Sequence, residues 1–344
     1  MKAIRWLLLP FSWLYGVITF LRNKAYDWGI LNSHAIPGKS ITVGNLSVGG
    51  TGKTPHVDYL IQHFLAKGTK LSVLSRGYGR KTKGLIVASD KSTASDIGDE
   101  PLQYLQRYRD KIKIVLAEKR KDGVDHIINQ FPENELIILD DAFQHRAVAA
   151  SFSILITPFD DLFCDDFMLP TGNLREWSIG KKRADVIIVS KSPSKISKEK
   201  ETQITRKLRF PKDQIFFSSL EYNDLVAFNN NPLPKSIDQV LIVSGIGNPA
   251  PLVHFWEDKC ATELMAFPDH HNYSAADIKA IHEKFGTFAS KNKVIITTEK
   301  DHMRLQQFDA VFKEEFKWHY QPISITIKNQ TKFNALLDEH TRKV

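Results

Sequence analysis

Short, fully apolar runs alternate with helically patterned stretches along most of the 344 residues, and one such run enters a glycine-rich loop ending in Lys-Thr. These two observations predict an α/β fold: a P-loop NTPase-type parallel sheet flanked by helices, with a second, smaller α/β domain behind it. A third, an apolar stretch ahead of the first strand, adds an N-terminal membrane-associated helix. The expected division is 1–36 for that helix and 37–212 for the P-loop domain, then 213–235 for a linker suited to a two-stranded hairpin. Residues 236–344 form the smaller domain that completes the cleft.

Composition narrows the function classes. With 42% hydrophobic and 25% charged residues the chain is globular. A formal charge of +8 and a pI near 9.2 favour an anionic partner: nucleic acid, a phosphorylated substrate or an anionic membrane surface. The bases are spread along the chain rather than gathered among aromatic residues, which argues against nucleic acid. Cys164 and Cys260 make neither a disulfide framework nor a C-x-x-C metal pair, so a reducing compartment is the simpler reading.

From Trp6 to Leu21 nearly every residue is apolar, with Lys2, Arg5, Arg22 and Lys24 at the ends and Trp13, Tyr15, Tyr26 and Trp28 close by. The run is short for a span, and no small-x-small cleavage site follows it. It suits a helix lying in, or dipping into, a membrane face; the competing reading packs it on the protein's own core.

Next, Ile41, Thr42 and Val43 form a β-prone run that enters the loop Ser47, Val48, Gly49, Gly50, Thr51, Gly52, Lys53, Thr54. A helix follows, with Val57, Leu60, Ile61, Phe64 and Leu65 on one face. Glycine frees backbone N–H groups to wrap phosphates, Lys53 reaches the terminal phosphates, and Thr54 offers a hydroxyl to Mg²⁺. Ser47 stands where the strict pattern has its first glycine, and Gly49 and Gly50 supply the backbone freedom instead. The implied ligand is a nucleoside triphosphate. The absence of an N-K-x-D motif in the first domain favours ATP.

Strand Leu71–Ser75 ends in Arg76-Gly77-Tyr78-Gly79-Arg80, where open sheets place ligands; Arg76, Tyr78 and Arg80 could hold an anionic or sugar-bearing substrate, or form a solvated turn. Asp99 and Glu100 open a helix, a place that suits caps, a catalytic base or a metal ligand. Strand Ile112–Leu116 follows, then Leu136–Leu139 running into Asp140-Asp141, the form of a Walker B strand whose carboxylates reach Mg²⁺. Between strands Phe152–Ile156 and Asp185–Ser190 lies LPTGNLRE, with Asn173 and the bidentate-capable Arg175.

Prolines and asparagines over 210–234 mark the boundary, where Gln214–Ser218 and Leu220–Phe228 could pair as linker strands. The rhythm resumes with strands Val240–Ser244, Leu264–Phe267, Val294–Thr298 and Ile323–Ile327. Three loops there look chemical: 245–249, 267–273 with His270 and His271, and 298–301. Adjacent histidines diverge on a regular element, so the pair suits orienting or tuning an acid rather than holding zinc.

Together VGNLSVGGTGKTP, SRGYGR, GDEP, LDDAFQH, LPTGNLRE, SGIGNP, FPDHHNY and TTEKD, in order from Val43 to Asp301, resemble the tetraacyldisaccharide 4′-kinase family, the lipid A 4′-kinases of Gram-negative bacteria. The Ser47 variant looks like the family's own. Ala142 departs from it, standing where the family usually has glycine. The resemblance implies Mg²⁺-dependent transfer of the ATP γ-phosphoryl group to the 4′-hydroxyl of tetraacyldisaccharide 1-phosphate, at the cytoplasmic face of the bacterial inner membrane, without nucleic acid or an obligate protein partner. It implies that Asp99 takes the acceptor's proton and that His270 pairs with Asp99. Lys53 would then hold the β/γ phosphates, while Thr54, Asp140 and one of Glu100 and Asp141 manage Mg²⁺. Two other classes share some of these features. A membrane-tethered P-loop switch would not need Asp99 and His270 in separate domains. A soluble small-molecule kinase leaves the apolar N-terminus unexplained.

Overall fold

The computed structural model describes residues 5–229 and 233–343. Lys2, and Asn230, Asn231 and Pro232 of the expected linker, lie outside the described residues.

A nine-stranded sheet forms the larger lobe. In chain order its strands are β1 (Lys39–Asn45), β2 (Leu71–Ser75), β3 (Ile86–Val87), β4 (Ile112–Leu116), β5 (Leu136–Asp140), β6 (Phe152–Pro158), β7 (Val186–Ser190) and β8 (Ile215–Tyr222), with a ninth from near the C-terminus. The spatial order is ninth strand, β8, β7, β6, β1, β5, β2, β4, β3, parallel except at its two outermost pairs. Strands buried on both faces must be apolar throughout, and alternate residues serve opposite layers. Ile154 and Ile156 of β6 join Ile41, Val43 and the helix α2 (Lys53–Leu65), whereas Leu155 faces Ile187, Val189 and helix α5 (Lys198–Leu208). Helix α3 (Asp99–Tyr108) packs on the α2 side, and α4 (Arg120–Gln130) covers Leu74, Val115 and Leu139 on the other.

The second sheet has five strands: β9 (Val226–Ala227), β10 (Gln239–Ser244), β11 (Ala261–Ala266), β12 (Lys293–Thr298) and β13 (Trp318–Gln321). Helix α6 (Ala250–Glu257) covers Val240 and Ile242, while α7 (Ala275–Gly286) covers Leu241 and Val243. Helix α8 (Glu299–Leu305) leaves the end of β12 toward the larger lobe.

Two expectations need correcting. The linker strands do not pair with each other: β8 joins β7 in the large sheet, while β9 joins β13 in the small one, so the chain crosses between sheets there. Strand β14 (Ile323–Ile327) does not belong to the smaller unit. It runs antiparallel to β8 as the edge of the large sheet, and helix α9 (Gln330–Lys343) returns Phe333 and Leu337 to the larger core. Apolar residues on β14 need a covered surface, and Pro322 follows β13 directly, allowing the chain to change sheets.

Helix α1 (Leu9–Asp27) inverts the usual globular pattern. Its buried residues are Ser12 and Gly16, while Phe11, Trp13, Leu14, Val17, Ile18, Phe20 and Leu21 are exposed. Ser12 Oγ donates to Thr171 Oγ1 (2.8 Å), Tyr15 Oη to the Arg175 carbonyl (3.0 Å) and Asn23 Nδ2 to Glu176 Oε2 (2.8 Å). Among the described residues no helix is long and apolar enough to cross a membrane.

Candidate active site

The loop after β1 is shaped by glycine where the backbone demands it: Gly49 has φ 103° and Gly52 has φ 89°. Ser47 needs no such freedom. It forms an isolated β-bridge with Leu174, flanked by hydrogen bonds from Val48 N to Asn173 O (2.8 Å) and from Arg175 N to Leu46 O (2.7 Å). The LPTGNLRE segment is thus an extended brace along the loop, and Asn173 spends its carbonyl there. Thr51 Oγ1 accepts from Asn45 Nδ2 (2.9 Å), the Thr51 carbonyl accepts from Ser190 Oγ (2.7 Å), and Gly50 O accepts from Lys191 Nζ (2.5 Å). His56, fully within the core, links Gly52 O (2.6 Å) to Ser218 Oγ (2.8 Å). Lys53 and Thr54 begin α2, whose N-terminus faces the loop.

β5 lies next to β1 with Asp140 opposite Val43, so the paired aspartates emerge beside the loop. Lys53 Nζ is 3.6 Å from Asp141 Oδ1, and Arg175 Nη1 reaches both Asp141 oxygens at 3.1 and 3.2 Å. The turn's left-handed residue is Asp141 (φ 47°), not Ala142, which is why alanine is accommodated where its relatives were expected to carry glycine. Asp140 is buried, and no hydrogen bond among the described residues reaches its carboxylate. Burial, then the neighbouring Glu100 and Asp141 carboxylates, push it up to about 7. A buried, unpaired carboxylate among other carboxylates fits a site that receives a cation. Among the described residues no cluster of three His, Cys, Asp or Glu side chains could hold a metal alone. Mg²⁺ usually takes one or two carboxylates from a protein and completes its shell with phosphate oxygens and water.

Asp99 and Glu100 do not cap their helix. Gly98 is the N-cap, and the capping box just upstream is made by Thr93 and Asp96. Both carboxylates instead meet the second lobe. Asp99 Oδ2 accepts from His270 Nδ1 (3.2 Å) and from Arg304 Nε (2.9 Å). Burial opposes the charge on Asp99, but His270 and Arg304 hold its carboxyl below the usual range. Reciprocally, the hydrogen bond to Asp99 raises His270. Glu100 pairs with Lys300 Nζ. Two turns further on, Arg107 donates to Asp58 of α2 (2.5 Å) and to Glu299 (2.6 Å).

Arg304 and Arg107 were not singled out from the sequence. Arg304 follows Lys300 by one helical turn, so a helix starting in TTEKD would have put both on one face. The structure separates the SRGYGR residues. Tyr78 is exposed, with its ring edge-on to His270 at 5.5 Å between centroids. Arg76 is exposed beside it. Arg80 turns inward, pairing with Glu118 (2.5 Å) and Gly84 O (2.7 Å), because Gly77 leaves room for its stem. Its guanidinium holds the turn and does not face the cleft.

A family model described as tetraacyldisaccharide-1-P 4′-kinase (LpxK) matches residues 4–342. The chain is 39% identical to the tetraacyldisaccharide 4′-kinase of Flavobacterium johnsoniae, over 100% of this chain and 99% of that one. It is 42% identical to the enzyme of the same name from Flavobacterium psychrophilum, covering 97% and 96%. The crystal structure of LpxK from Aquifex aeolicus in complex with ATP aligns with a TM-score of 0.75 at 28% identity, covering 98% of this chain and 99% of that one.

Proposed function

The chain belongs to the tetraacyldisaccharide-1-phosphate 4′-kinase family, and from that membership we propose how its residues divide the work of the reaction. The reaction is ATP-dependent phosphorylation of tetraacyldisaccharide 1-phosphate at its 4′-hydroxyl, in lipid A biosynthesis. The acceptor oxygen bonds to the γ-phosphorus, the bond to the β,γ-bridging oxygen breaks, ADP leaves, and the hydroxyl proton passes to a base. Such transfers need positioning and charge neutralisation more than covalent help.

The residue assignment rests on the convergence on Asp99 of two second-lobe groups, His270 and Arg304. Asp99 is the base. Its low proton affinity suits orienting the hydroxyl and taking the proton late, when the oxygen has become acidic. His270 fixes the carboxylate's direction. The loop from Ser47 to Gly52 cradles the phosphates and Lys53 binds the β/γ end. Thr54 and Asp140 would hold Mg²⁺. Glu100 and Asp141, each already paired with a cation, stand close enough to tune it. When bound, Mg²⁺ neutralises charge on the β and γ oxygens. Tyr78, exposed beside His270, and Arg76, exposed two residues before it, receive the sugar.

The exposed apolar face of α1 seats the enzyme on the membrane that holds its lipid, at the cytoplasmic face of the inner membrane, where ATP is found. Phosphate transfer from labelled ATP to tetraacyldisaccharide 1-phosphate in detergent micelles tests the chemistry. Label should appear in the lipid only with Mg²⁺ and be lost in Asp99→Ala; label released solely as free phosphate would overturn the reading. Sedimentation with anionic vesicles, with and without residues 1–27, tests the seating.

A further inference from the structure

The second lobe sends a further cation into the cleft. Lys300 is the second residue of α8, half-buried, and its ammonium pairs with Glu100, the neighbour of Asp99. Four residues on, Arg304 holds Asp99 itself. Lys300 is also within electrostatic reach of Lys191, whose ammonium sits on the Gly50 carbonyl of the phosphate loop. Lys300 thus lies near both ends of the interval between the loop that cradles phosphate and the carboxylate that takes the acceptor's proton. A γ-phosphoryl group in transit must cross that interval.

We propose that Lys300 is a catalytic cation: held on Glu100 in this structure, it contacts the transferring phosphoryl group once nucleotide is bound. The inference rests on the assignment of Asp99 and the phosphate loop given above. Its physical basis is that charge on the equatorial oxygens needs donors fixed before the reaction begins. Lys53 comes from the first lobe and Lys300 from the second, so the full complement assembles only when both lobes face the same phosphate. Glu100 keeps the ammonium charged and aimed until then, and the exchange of partner moves no proton.

The test compares Lys300→Met, Lys300→Arg, Glu100→Gln and the double variant Glu100→Gln/Lys300→Met with wild type and Asp99→Ala. Readouts are kcat, KM for each substrate, affinity for a non-hydrolysable ATP analogue, and Tm. Lys300→Met should lower kcat about 100-fold or more, as removal of a transition-state donor does, with analogue affinity nearly unchanged and partial rescue by arginine. The double variant separates the two roles. It should stay far below Glu100→Gln alone; if it turns over as fast as Glu100→Gln, Lys300 only neutralises Glu100 and the proposal fails. If Lys300→Met does not fold, the arginine and double variants still decide. Full activity in Asp99→Ala would instead overturn the base assignment, which distinguishes the two failures.

Discussion

The two lobes supply chemistry of different kinds. The first offers a binding surface made largely of backbone: consecutive residues from Ser47 to Thr54, bent by Gly49 and Gly52 and braced by Leu174. The second offers side chains alone, delivered at long sequence range: His270 and Arg304 to Asp99, Lys300 to Glu100, and Glu299 to Arg107. A backbone cradle grips ATP whether or not the acceptor has arrived. The proposed base, a carboxylate on one lobe held by cationic groups of the other, is complete only when the lobes meet. Nucleotide binding and catalytic competence should therefore separate cleanly under mutation.

The largest effect expected is on that separation. Asp99→Ala should reduce turnover by roughly 10² to 10⁴, the range of a lost general base, while ATP affinity stays near wild type. Lys53→Ala should weaken both. Equal losses of affinity in the two variants, measured by equilibrium nucleotide binding, would erase the contrast between lobes. Next comes the joint between them. Arg107→Met takes the shared cation from Asp58 and Glu299, both buried, and should cost about 3 kcal/mol in urea unfolding, since breaking a buried pair leaves uncompensated charge. A cost below about 1 kcal/mol would mean the lobes are held by something other than this node.

Acid should affect both lobes together. His56 in the first lobe and His302 in the second are each pushed by burial down to about 4. In the unfolded chain a histidine takes its proton near 6.5, so between pH 6.5 and 4 the unfolded state binds more protons than the native one. Their stability contribution is present above pH 6.5 and is lost as pH falls toward 4. Tm measured from pH 7.5 to 4.5 should drop in that window, and His302→Gln should flatten the slope. A Tm independent of pH there would contradict the burial. The smallest effect is at the loop: Ser47→Gly should leave kcat and analogue affinity unchanged, because the residue is already in extended, paired backbone.

Legibility followed the same divide. The phosphate loop and the paired aspartates are contiguous in sequence, so the roles proposed for them can be read from spacing alone. Arg304 and Arg107 act across 205 and 192 residues, at distances no local pattern encodes. His270 stands out because it falls in a conspicuous loop. Arg304 is not legible, because one arginine in a short helix is ordinary. The destination of Ile323–Ile327 was illegible for another reason: an apolar strand states that it wants cover, not which sheet will supply it. Arg80 folds back to Glu118 and Gly84, a placement that a loop rich in glycine and arginine does not announce.

The N-terminal helix has a consequence beyond adhesion. Its polar side is keyed into the protein: Trp177 Nε1 donates to the Gly16 carbonyl at 2.9 Å, and a Cβ at Gly16 would lie 2.7 Å from that indole. The helix can therefore neither slide nor roll without losing its fit. With the enzyme seated as proposed, the cleft then rides at a constant altitude above the acyl layer. A sugar anchored in that layer offers each hydroxyl at its own height, so choosing one becomes a measurement of elevation. Regiochemistry would be gauged from the floor upward, with Gly16 and Trp177 setting the zero of the scale.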